Sequence, residues 1–157
     1  MSIMTFTKTS GSNQTPALEC INPKKSIWLY RCNYENTDDQ QATYYEVQFN
    51  HEPTEQEQKD TYNEIINQIV QETILSGFRW KGYTVWLSQT NQQNYKAAAD
   101  IALQTNGQNL PFTAKFENDK NETIFYNFTT TEELTQFYYE VNNFIQQTLQ
   151  QGWNKKH

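Results

Sequence analysis

The side chains able to do chemistry are few and scattered. His51 falls between a predicted hairpin and a predicted helix, and His157 is the last residue; neither stands beside a candidate nucleophile. Nucleophilic catalysis needs a nucleophile, a base and a group to orient the base, and these histidines supply no such set. Cys20 and Cys32 have Lys24, Lys25 and Arg31 nearby in sequence, cations of the kind that lower a thiol pKa. Two cysteines are too few for a disulfide framework, however, and read as free thiols. No C-x-x-C, H-E-x-x-H, phosphate-cradling glycine loop or calcium-loop pattern is present. Asp38-Asp39 lies in a turn and Glu132-Glu133 in the first turn of a helix, where turn chemistry and the helix dipole account for acidic residues. The expectation is therefore a structural or binding module rather than an enzyme, with no catalytic residues, no cofactor site and no metal site.

Aromatic side chains, 15% of the chain, supply the remaining chemistry. Trp28, Tyr30 and Tyr34 alternate along one predicted strand face, and Trp80 and Trp86 flank a tight hairpin. Rows of flat rings stack sugars or bases, or anchor protein interfaces; a ring can equally serve the core, which is the role expected of Trp80 and Trp86. For an exposed row a protein interface is favoured, because such rings combine large contact area with a polar tip. The net charge of -6 and pI of about 4.9 argue against a nucleic-acid ligand, whose backbone needs a basic face. Charge is unevenly placed, with +3 over residues 1–34 and -9 over the rest. No apolar run reaches the length of a membrane span, and the start MSIMTFTKTSGSN lacks the apolar stretch of a signal peptide. The Asn-x-Thr triplets at Asn13, Asn121 and Asn127 then read as chance.

The elements that must position these groups follow from periodicity. Asn and Gln, 17 and 18 residues, supply much of the polarity but sit between well-spaced apolar positions, so a folded body is expected. Residues 1–26 mix Ser, Thr, Asn, Gly and Pro with no sustained period and read as an extended N-terminal arm. With its positive charge, that arm is expected to anchor the protein to a partner. From Ser26 the runs Ile27–Cys32 and Tyr44–Phe49 read as a hairpin with a long loop, Tyr45, Val47 and Phe49 facing inward. Thr54 and Glu57 form a capping box before Tyr62, Ile65, Ile66, Ile69, Val70 and Ile74 at helical spacing, with Gly77 as the stop. Phe78–Trp80 and Tyr83–Leu87 make a tight hairpin around Lys81-Gly82. Ser88 caps a helix carrying Tyr95, Ala98, Ala99, Ile101 and Ala102, closed by Asn106-Gly107. After Leu110-Pro111, Phe112–Phe116 and Thr123–Phe128 form a third hairpin. Thr130 and Glu133 then cap a helix with Leu134, Phe137, Tyr138, Val141, Phe144, Ile145 and Leu149 on one stripe and Gly152 beyond its end. The expected class is α+β: three successive hairpin-plus-helix units over residues 27–157, antiparallel strands packed on three helices.

One stretch also carries a family likeness. Pro53-Thr54-Glu55, the run Ile74-Leu75-Ser76-Gly77-Phe78-Arg79-Trp80-Lys81-Gly82-Tyr83-Thr84-Val85-Trp86-Leu87-Ser88, Asn91-Gln92, Asn94–Ala98, Leu110-Pro111 and Ile145–Leu149 resemble a small domain of unknown function in phage tail- and fibre-associated proteins. Over residues 53–157 the likeness is greatest to versions in crAss-like phages of gut Bacteroidales. The resemblance implies a virion component, a fibre or adaptor on the head or tail, assembled in the host bacterial cytoplasm, and carries no catalytic residues with it. Expected partners are further copies of itself, as a dimer or trimer, and other virion proteins; neither nucleic acid nor membrane is expected. The candidate interface comprises Ile3, Phe6, Lys8, Lys24, Lys25, Trp28, Tyr30 and Tyr34. A phage assembly chaperone, another protein-interaction module, or a carbohydrate-binding module in host attachment are the alternatives.

Overall fold

The computed structural model describes residues 5–156 as an α+β fold of two four-stranded antiparallel sheets and three helices. The chain divides into two compact units, residues 1–68 with 155–157, and residues 69–154. In the first, β1 (Lys8–Ser12), β2 (Leu18–Asn22), β3 (Ile27–Asn36) and β4 (Gln41–Phe49) lie in the order β1-β4-β3-β2. The first part of α1 (Glu55–Ser76), through Gln68, completes this unit and buries Ile65 and Ile66.

The extended N-terminal arm expected over residues 1–26 is not what forms. Residues 8–12 and 18–22 are the two edge strands of the first sheet, one on either side of the β3–β4 hairpin. Their alternation is too polar to announce a strand, and they are ordered by partners distant in sequence. Arg31, 6% exposed, is the main fastener. Its guanidinium donates to Pro16 O and Glu19 Oε1, both 2.9 Å, and to Glu46 Oε2 at 2.8 Å, so the charge is paired where it is buried. Phe6 is buried too, and its N–H and C=O bond the amide of Gln68 at 2.8 and 2.9 Å. In β1, Gly11 leaves room for Tyr44, whose hydroxyl any side chain there would meet.

The β3–β4 strands also run further than expected, leaving only residues 37–40 as the loop. Asp38 accepts from the N–H groups of Gln40 and Gln41, both at 2.8 Å, which makes so short a loop feasible. A bulge between Cys32 and Glu35, with Asn33 at φ 56, adds one residue to β3. An inserted residue switches every later side chain to the other face.

The second unit holds β5 (Phe78–Trp80), β6 (Tyr83–Val85), β7 (Phe112–Glu117) and β8 (Thr123–Phe128) in that order, with α2 (Gln89–Thr105) and, through Asn154, α3 (Thr131–Lys155). Here the local signals hold. Lys81 at φ 50 and Gly82 at φ 83 make the two-residue turn of the β5–β6 hairpin. Ser88 caps α2 by accepting from Asn91 N at 3.1 Å, and Asn106 in the left-handed region ends it. Two details differ. Helix α3 runs through Gly152, which is buried, to Lys155 instead of stopping before it. Ile101, expected on the buried stripe of α2, is exposed, because the small Ala98, Ala99 and Ala102 set the contact face. The core of this unit is aromatic: Phe78, Trp80, Tyr95, Phe116, Phe128 and Phe137 are all buried.

Candidate binding surfaces

The residues singled out from sequence do not converge. Ile3 lies outside the described residues. Phe6 is interior, as above. Lys8 pairs Glu35 at 3.3 Å and sits 5.7 Å from the Tyr45 ring. Lys24 and Lys25 are exposed in the β2–β3 turn. Trp28 and Tyr30 are half-buried on the face that carries Cys32 and Tyr45. Tyr34 does not share that face. The Asn33 bulge turns it to the other side, where its ring lies 5.1 Å from Tyr44 and its hydroxyl donates to Thr15 O at 3.0 Å. The expected aromatic row is therefore split across the sheet, and Tyr34 becomes a fastener of the chain between β1 and β2.

The first unit contains a buried thiol with a clear chemical character. Burial pushes the Cys32 thiol up to about 11, despite a hydrogen bond with the Tyr30 hydroxyl, while burial and then Cys32 push the Tyr30 phenol up as well. A thiol so raised holds almost no thiolate near neutrality and is a poor nucleophile. Titration of the native protein with an aromatic disulfide reagent at about pH 8 should modify half-buried Cys20 and leave Cys32 until denaturant is added. Two equivalents consumed rapidly without denaturant would contradict this.

In the second unit the two tryptophans have different fates. Trp80 is 7% exposed and its ring packs 5.2 Å from Phe137, whereas Trp86 is 39% exposed and is not held in the core as expected. Strand parity explains it, since Val85 and Leu87 point inward and the residue between them must point out. Beside Trp80, Lys81 donates to the Tyr126 hydroxyl at 2.8 Å and to Glu133 Oε2 at 2.9 Å, bonds that raise the lysine pKa. Glu133 thereby joins the hairpin turn to the first turn of α3. Only one half of the expected capping box forms there, Glu133 N to Thr130 Oγ1 at 3.2 Å; the full reciprocal pair is seen at Thr54 and Glu57.

Among the concave surfaces of this unit, two bear on binding. One, of about 430 Å³, lies between α2 and α3 and is lined by Leu103, Thr131, Glu132, Thr135, Gln136 and Tyr139. Leu103 and Tyr139 are 57% and 59% exposed. Both side chains line the same concavity. The sequence signal was present in part, as Leu103 and Tyr139 fall outside the apolar stripes of their helices. The other surface, about 580 Å³, lies beside Trp86, Asn91 and Asn94 along β7. No group of three or more metal-ligating side chains occurs among the described residues, and none of their helices is long and apolar enough to cross a membrane. Comparison with protein-family models, with curated proteins and with solved structures finds no match to the chain.

Proposed function

We propose that this chain is a binding module that acts by protein–protein assembly, and that it serves as a fibre or adaptor on the head or tail of a tailed-phage particle. The observation that carries the assembly reading is the Leu103–Tyr139 cleft, an aliphatic and an aromatic side chain, each more than half exposed, flanking one concavity. Aromatic anchors in pockets supply much of the binding energy at protein interfaces. The particle setting rests on the likeness of residues 53–157 to phage fibre-associated domains. The acidic body suits a protein partner better than a nucleic acid.

Self-association as a dimer or trimer belongs to the same proposal, because repeated particle sites favour symmetric assemblies. Mass spectrometry and cryo-EM of purified particles test the reading. The wild-type chain should be present at fixed copy number, and a Leu103→Asp, Tyr139→Asp variant should fold normally yet fall at least about tenfold in occupancy, the loss expected on removing one interface anchor. Absence of the wild-type chain from particles overturns the setting. Normal occupancy of the variant overturns the role of the cleft.

A further inference from the structure

The second sheet is incomplete at its centre. Strand β7 pairs with β8 at six positions, from Phe112↔Phe128 to Glu117↔Thr123, but meets β6 at one, Thr84↔Glu117. Beyond Val85 the chain turns away into α2, and among the described residues no strand lies beside the rest of β7 on that side. The phase of the ladder can be read from its turn, where Asn118 N donates to Glu122 O at 3.0 Å. In an antiparallel pair, alternate residues direct both N–H and C=O to the same neighbour. Residues 112, 114, 116 and 118 therefore bond toward β8, and Thr113, Lys115 and Glu117 face the other way. Glu117 has Thr84 opposite it; Thr113 and Lys115 face the open lane.

That lane is the 580 Å³ cleft. Its walls are Trp86 and the α2 residues Asn91 and Asn94, facing Thr113, Lys115 and Glu117. Trp86 is held at the mouth, its Nε1 donating to Glu117 Oε2 at 3.1 Å and its C=O accepting from Asn91 Nδ2 at 2.8 Å.

We propose that this cleft takes an uncharged extended segment of a partner protein, which adds as a strand to β7 in the lane that β6 vacates. This deepens the reading of the chain as a protein-binding module by naming what the module would hold. The open donors and acceptors recur every second residue, about 7 Å apart, which is the repeat of another strand. The open stretch from Phe112 to Phe116 takes about five residues. One cation and one anion, Lys115 and Glu117, leave the lining without net charge, while the -9 over residues 35–157 disfavours an acidic segment. Backbone bonding carries the affinity, and the Trp86 ring closes over one end.

The test uses the full chain and a capped pentapeptide, Thr-Val-Thr-Val-Thr, followed by amide NMR. Addition of the peptide should shift the amides of Thr113 and Lys115 and the indole of Trp86, with a Kd of about 1 mM or tighter. N-methylation of the alternate peptide nitrogens should weaken binding at least about tenfold, and raising salt from about 50 to 500 mM should not. Lys115→Pro removes an N–H facing the lane without touching the β8 ladder, so it should fold and lose the peptide; Thr113→Pro serves if it does not fold. Unshifted Thr113 and Lys115 amides, or binding indifferent to N-methylation, overturns the proposal. So does protection of those amides that grows with protein concentration alone, which would make a second copy the occupant. An oligosaccharide that shifts the Trp86 indole when the peptide does not would make the cleft a sugar site. Peptide binding by a chain absent from particles would sink only the virion setting, whereas a particle-bound chain blind to the peptide would sink only this inference.

Discussion

Removing residues 1–22 is expected to unfold the first unit. The deletion takes away β1, which pairs with β4 over five positions, and β2, which pairs with β3 over four. It strips Pro16 O and Glu19 from the buried Arg31 guanidinium, and it removes Phe6 from its bonds with Gln68. Breaking a buried ion pair by deleting one partner costs about 3–5 kcal/mol where the charge stays dry. Arg31 keeps Glu46, and Glu19 was already 42% exposed at its side chain, so the electrostatic loss alone falls below that range. The uncovered strands add to it, since two edges of the β3–β4 hairpin are opened to solvent together. Hydrogen exchange followed by mass spectrometry reads the outcome: segments of β3 and β4 should lose protection while those of β7 and β8 keep theirs. Unchanged protection of β3 and β4 would mean that the N-terminal strands are accessories, as a mere anchoring arm would be.

Phe137→Ala should be the most damaging single substitution in the second unit. The ring is fully buried and lies within 4.8 to 6.2 Å of the rings of Phe128, Tyr95, Trp80, Phe116 and Phe78. Truncating such a phenylalanine forfeits its transfer energy and leaves a cavity that five rigid rings cannot collapse to fill, a loss of about 3–5 kcal/mol. In a chain of this size that lowers Tm by on the order of 10 °C. Tyr139→Ala, two residues along the same helix and 59% exposed, should change stability by no more than about 0.5 kcal/mol. Calorimetry of the two variants side by side decides the matter. Equal effects would mean that α3 presents a different face to the sheet.

What the chain declares residue by residue is what short-range physics controls. The capping of α1 by Thr54 and Glu57, the cap of α2 at Ser88, its end at Asn106-Gly107 and the Lys81-Gly82 turn each depend on atoms within a few residues, so each could be read directly. The apolar stripe of α3 was legible for the same reason, because helical period is a local property. Trp86 was legible in principle, since strand parity alone places it opposite Val85 and Leu87.

The two candidate surfaces and the first sheet belong to the tertiary structure. The Lys8–Ser12 run has no strand signature of its own; it is a strand because β4 offers it an edge and Arg31 holds the chain that follows. The Asn33 bulge, one residue in ten, decides that Tyr34 leaves the face of Trp28 and Tyr30. The open lane beside β7 exists because α2 draws the chain away after Val85, leaving Thr113 and Lys115 with no strand partner on that side among the described residues. Side-chain pattern is written along the chain, whereas which backbone edges find partners is settled between segments far apart in it, and that is why the fold class could be read from the residues and the open edge could not.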